Sequence, residues 1–153
     1  MARSRRDGTT GALLMLDLDR FKSVNDSYGH PAGDRLIEEV AEVLRRRTRA
    51  GDVLGRLGGD EFAVALPTCR PDEANVVAAA IVTAIREHRP EDREIVPVTV
   101  SVGVAIFGID PLMGYATLVS EADTAMYAAK DAGGDGFRVF HPEELRVTAP
   151  GKP

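Results

Sequence analysis

The sequence has no tryptophan and a single cysteine, Cys69, in 153 residues. One cysteine excludes an intrachain disulfide and suits a reducing cytoplasm. Long hydrophobic runs are missing too. The most apolar early stretch, Ala12 to Leu16, is far too short for a membrane span or a signal sequence. There is no excess of positive charge: the formal net charge is −5. That argues against a nucleic-acid polymer or an anionic membrane as partner. It leaves room for a nucleotide, which needs only a few placed cations and a metal ion. No internal repeat or low-complexity segment is present. What remains, 44% hydrophobic and 28% charged residues, fits one soluble domain with a real core.

Residues 1–10, with Arg3, Arg5 and Arg6, read as a flexible start or the remnant of a preceding helix. Ala12 to Asp19 reads as a central strand buried on both faces. It ends in Asp17 and Asp19, whose i, i+2 spacing puts both acids on one side. Residues 20–30 form an irregular or short helical loop. A helix begins at Pro31, its missing N–H costing nothing there, and runs to about Thr48. Acids fill its first half and arginines its end, which matches the helix dipole. Further helices are expected from Pro71 to about His88 and from Tyr115 to Lys130, where Gly133-Gly134 stops the last one. Val96–Phe107 reads as a long strand with a bulge or a close backbone approach at Gly103. Phe137–Phe140 reads as a short strand, and residues 143–153 as a disordered tail.

Between the first two long helices lies Arg56-Leu57-Gly58-Gly59-Asp60-Glu61-Phe62, flanked by apolar residues from Val53 to Leu66. Gly-Gly between such runs predicts a β-hairpin from about Asp52 to Leu66, with the glycines supplying positive φ at the tip. A tip without side chains lets a phosphate or sugar approach the backbone, and two acids beside it can hold a divalent cation. A plain solvated turn fits the same residues. The order strand, helix, hairpin, helix, strand, helix, strand implies an α+β sheet with helices packed on it.

Residues 12 to about 140 resemble the GGDEF domain of diguanylate cyclases. Gly58-Gly59-Asp60-Glu61-Phe62 is that family's name motif. Asp17 to Asp26, Tyr28 to Asp34, and Ala122 to Lys130 match its other motifs at family spacing. The resemblance assigns residues 11–142 to one GGDEF domain. It implies a nucleotidyl-cyclase or polymerase-palm (ferredoxin-like) sheet with the first strand in the middle. It also implies condensation of two GTP molecules into cyclic di-GMP with release of two pyrophosphates. Asp17, Asp60, Glu61 and the backbone carbonyl of Leu18 become ligands of Mg²⁺ or Mn²⁺, two ions per site, and Asp60 and Glu61 the catalytic acids. Phe21, Lys22, Asn25, His30, Asp34, Gly58, Gly59 and Lys130 become substrate-binding residues: Asn25 and Asp34 read guanine, and Lys22 and Lys130 meet the triphosphate. Arg49 and Asp52 match an inhibitory site for the product, although a helix-end arginine followed by a turn acid has the same spacing.

The resemblance further implies a homodimer, because each site holds one GTP, and an upstream sensor domain that this sequence does not contain. Two departures stand out. The family's usual helix with Asp-x-Leu-Thr-Gly-Leu-x-Asn-Arg does not precede Ala12, and Gly134 occupies a position that usually holds an arginine. Unless Arg138 or another cation substitutes, one triphosphate contact is lost. A catalytically weak module that binds GTP or cyclic di-GMP and signals through a partner is the alternative reading.

Overall fold

The computed structural model describes residues 9–143. The residues expected to form a loose start and tail fall mostly outside that span. Thr10 falls inside it, where it accepts a hydrogen bond from the Cys69 N–H at 2.9 Å and donates its hydroxyl to the Cys69 carbonyl at 2.6 Å.

The first strand, β1 (Gly11–Asp19), is central as expected. Its even-numbered residues Leu14, Leu16 and Leu18 are almost fully buried on one face. Met15 is buried on the other and Leu13 partly so. Each fully buried side chain of this size contributes about 1.5–3 kcal/mol. Next come α1 (Phe21–Tyr28), α2 (His30–Arg46), the hairpin β2 (Val53–Gly58) and β3 (Glu61–Leu66), α3 (Pro71–Glu87), β4 (Thr99–Phe107), α4 (Tyr115–Asp131) and β5 (Gly136–Val139). The five strands run in the order β2-β3-β1-β4-β5. β1 is antiparallel to both β3 and β4, and β5 is parallel to β4.

Two helices cover one face and one covers the other. Leu36, Ile37, Val40 and Leu44 of α2 and Ala74, Ala78, Ile81 and Ile85 of α3 pack on Leu14, Leu16, Phe62, Val64 and Val102. Leu118, Ala122 and Met126 of α4 pack on Met15, Ala105 and Phe107. Gly103 resolves as a close approach, with no bulge: a Cβ there would run into the Ala122 carbonyl and the Met126 amide of α4. The absent side chain lets the middle of α4 lie directly on β4.

Several boundaries differ from the sequence reading. Residues 21–28 are a true helix, closed by Gly29 at φ 87. α2 begins one residue before Pro31. Val96–Val98 lies outside β4, because Pro97 has no N–H to give a ladder.

Candidate active site

Three strands bring the acids together. Asp17 is the register partner of Glu61 on β3 and of Ser101 on β4. Residues directly opposite one another share a face, so Glu61, Asp17 and Ser101 form one row on the side that carries α4. The turn beyond Glu61 is Gly59-Asp60. Its Asp60 carbonyl accepts the Leu18 N–H at 3.1 Å, which ties the hairpin tip to the end of β1.

Asp17 is pushed up to about 6 from an ordinary 3.8, first by burial and then by the negative charge of the neighbouring Asp60. Lys130 opposes the shift. One oxygen of Asp17, Oδ1, is buried with no hydrogen-bond partner. Two carboxylates forced together, one with an idle buried oxygen, form an incomplete oxygen donor set. That set fits a hard divalent cation, which commonly takes one or two carboxylates and completes its shell with water and substrate phosphates. Among the described residues no three or more His, Cys, Asp or Glu groups cluster for a metal. The chain therefore offers a partial set that a phosphate-bearing ligand would finish.

Lys130, expected at the triphosphate, lies 3.4 Å from Asp17 Oδ2 and 3.5 Å from Asp19 Oδ1. Asp19 is an anchor that the sequence reading left without a role. Its carboxylate accepts the hydroxyls of Thr99 and Ser101 at 2.8 and 2.7 Å and the Asp135 N–H at 2.9 Å. Burial acts to raise its pKa, but these bonds and Lys130 outweigh it, so the carboxyl lies below its usual value. Ser101 is the signal that could have revealed it. It is a fully buried polar residue in an apolar strand, and such a group needs a partner.

The glycines of the tip work differently from expectation. Neither Gly58 nor Gly59 has a positive φ, and a Cβ on either would meet nothing within 4 Å. The turn does not need them. What they leave is open space against the backbone, beside the acids.

On the other side of the β1 end, Asn25 of α1 sits against Gly33 of α2, where any Cβ would collide with its amide oxygen. That Asn25 Oδ1 is buried and unpartnered. Phe21 packs at the same glycine and is in the core, 8% exposed. His30 opens α2 and Asp34 lies one turn on, both exposed, as is Lys22 on α1. Arg49 and Asp52 stand at the opposite end of β2 from the tip, a strand length of roughly 17 Å. Asp52 Oδ2 accepts the Arg49 N–H at 2.8 Å, and the Asp52 N–H returns to the Arg49 carbonyl at 3.0 Å. The Arg49 side chain is exposed.

Gly134 is held at φ +73, and a Cβ there would lie 2.7 Å from Asp19 Oδ2. Arg138 does not take its place: it is on β5 opposite Gly103, two residues beyond the Ser101–Gly136 row. The cation that reaches this loop is Arg86 of α3, whose Nε lies 2.9 Å from both oxygens of Asp135.

The family described as diguanylate cyclase, GGDEF domain, matches residues 1–136. The chain is 41% identical over 135 residues to the bifunctional diguanylate cyclase/cyclic di-GMP phosphodiesterase MucR of Pseudomonas aeruginosa, covering 88% of this chain and 20% of that protein. It is 40% identical over 134 residues to the probable diguanylate cyclase DgcE of Escherichia coli, covering 87% of this chain and 12% of that protein. Among solved structures, the GGDEF domain of TpbB (YfiN) from P. aeruginosa superposes with a TM-score of 0.83 at 33% identity, covering 97% of this chain and 89% of that one. The GGDEF domain of DgcB from Caulobacter crescentus, in complex with c-di-GMP, gives 0.83 at 30% identity, covering 90% and 82%. The chain belongs to the GGDEF-domain family of diguanylate cyclases, and its fold is that family's α+β sheet. It spans a fifth or less of the length of MucR and DgcE. No described helix is long and apolar enough to cross a membrane.

Proposed function

We propose that this chain is a diguanylate cyclase catalytic domain that condenses two GTP molecules into cyclic di-GMP and two pyrophosphates. The observation that carries the reading is the junction of β1 with the hairpin. There Asp17 and Asp60 are pressed together, with an idle buried oxygen, beside a backbone tip stripped of side chains. Asp17, Asp60, Glu61 and the Leu18 carbonyl would hold Mg²⁺ or Mn²⁺. When bound, such ions neutralise the triphosphate and favour ionisation of the attacking hydroxyl.

This chain's own groups do the rest. Gly58 and Gly59 let ribose and α-phosphate lie on the tip. Asn25 and Asp34 accept from the N–H donors of guanine, which adenine lacks at N1, and His30 and Phe21 flank them. Lys22 and Lys130 supply charge for the β- and γ-phosphates, Lys130 by leaving Asp17. The 3′-hydroxyl of one GTP attacks the α-phosphorus of the other. Its proton passes to Asp60 or to water, and the bond to pyrophosphate breaks. A second such transfer closes the ring. Because one site holds one GTP, two chains meet face to face as a homodimer. Arg49 and Asp52, a strand length away, form a separate site at which product feeds back. A GTP-dependent reaction of this kind belongs in the cytoplasm.

The test is cyclic di-GMP formation from GTP and Mg²⁺. Asp60→Ala is expected to lower turnover roughly 10²- to 10⁴-fold, and Arg49→Ala to relieve product inhibition without lowering initial rates. Active Asp60→Ala would remove that residue from the mechanism. GTP binding with no product at any protein concentration would leave the module that binds and signals without catalysis, a reading that Gly134 in place of a cation favours.

A further inference from the structure

Arg56 is one residue the family motif does not explain. It stands on β2 opposite Phe62, so its side chain leaves the sheet on the α2 face, away from the row of Glu61 and Asp17. Its guanidinium then turns back to the tip. Nε donates to the Gly58 carbonyl at 3.2 Å, and Nη2 donates to the Gly59 carbonyl at 2.9 Å. The strand bulges between these points, where the register shifts between Arg56 and Gly58.

Those two carbonyls belong to consecutive peptide planes, and no peptide here is cis. In a trans peptide the N–H points opposite to the C=O. Fixing the Gly58 carbonyl therefore aims the Gly59 N–H, and fixing the Gly59 carbonyl aims the Asp60 N–H, both away from Arg56. Neither amide has a partner among the described residues. The next plane is fixed as well, from the other side, because the Asp60 carbonyl takes the Leu18 N–H. Three successive planes through two glycines are thus held, although glycine is the residue that loses most freedom when ordered.

We propose that Arg56 is a positioning residue: it holds the glycine tip so that the amides of Gly59 and Asp60 face the substrate side as a ready pair of donors for a phosphate oxygen. The role rests on the cyclase reading for its use in turnover. The strap itself is a property of the protein alone. Lysine cannot reproduce it, since one ammonium does not present the planar fork that spans two carbonyls.

The experiment compares the full chain with Arg56→Ala and Arg56→Lys in three measurements: steady-state kinetics with GTP and Mg²⁺, thermal melting, and ¹⁵N relaxation of the Gly59 and Asp60 amides. Both variants are expected to melt near the parent temperature and to show increased mobility at those two amides. Both should lose roughly tenfold to a hundredfold in kcat, the scale of a small misplacement of reacting groups, with KM for GTP changed less than about threefold. Recovery of turnover in Arg56→Lys, or a rise in KM at unchanged kcat, would show a charge acting on the substrate and overturn the proposal. Unchanged amide mobility in Arg56→Ala would overturn it too. If the parent chain makes no product, the cyclase reading fails, and the relaxation data alone decide whether the strap exists.

Discussion

Asp17 pays for its position with a proton. Its carboxyl is pushed from 3.8 to about 6 by burial and by Asp60, so between those values the folded chain binds a proton that the unfolded chain releases. The stability contribution is present at the acidic end and is lost as pH rises through about 6. Without added metal, the melting temperature is therefore expected to fall between about pH 4 and pH 6 on account of this group, and Mg²⁺ to restore most of the loss only above that range. Asp17→Asn removes the repulsion permanently. It is expected to raise the metal-free melting temperature at neutral pH by roughly 2–4 °C, the equivalent of about 1 kcal/mol in a chain of this size, and to abolish turnover. The side chain is 13% exposed, which shields little of the effect. A melting temperature that drops in Asp17→Asn would mean that Lys130 gains more from the charge than Asp60 loses to it.

At the scale of elements, the loop between α4 and β5 decides what Gly134 can become. An arginine there would adopt a left-handed φ at about 1–2 kcal/mol and would press on the Asp19 carboxylate. Gly134→Arg is thus expected to lower both melting temperature and turnover, because Asp19 is also what steadies Lys130; a gain in turnover would sink this account. The sequence made much of this legible. Apolar runs and spacing, with the Gly-Gly and proline signals, outlined β1, α2, α3, α4 and the hairpin. It left α1 open because only Phe21 and Val24 of that helix are buried, and it overran β4 because Val96 and Val98 carry strand character that Pro97 cancels. The meeting of Asp17 with Asp60 depends on β3 lying beside β1, and strand order leaves no trace in periodicity; there the family resemblance supplied the pairing. The charge of Lys130 was plain, but its place between two acids was not, since Asp19, Thr99 and Ser101 come together from positions some eighty residues apart.

For the whole molecule, the proposed chemistry makes one chain half of a reaction centre. Specific activity is expected to rise with protein concentration and then level off as dimers form; a flat profile across the range in which sedimentation shows monomer giving way to dimer would rule out the facing-sites arrangement. The hairpin also sets a limit of another kind. Its tip turns on two residues, and the strand leaving it is in register with β1, with Glu61 opposite Asp17 and Phe62 opposite Leu16. Inserting or deleting one residue in β3 between this pair and Leu66 would swing Glu61 to the face packed by α2 and α3 and Phe62 out of that core. Substitutions can be tried one at a time along this segment, but its length cannot drift, so descendants of this gene can alter the lettering of the motif far more freely than its count.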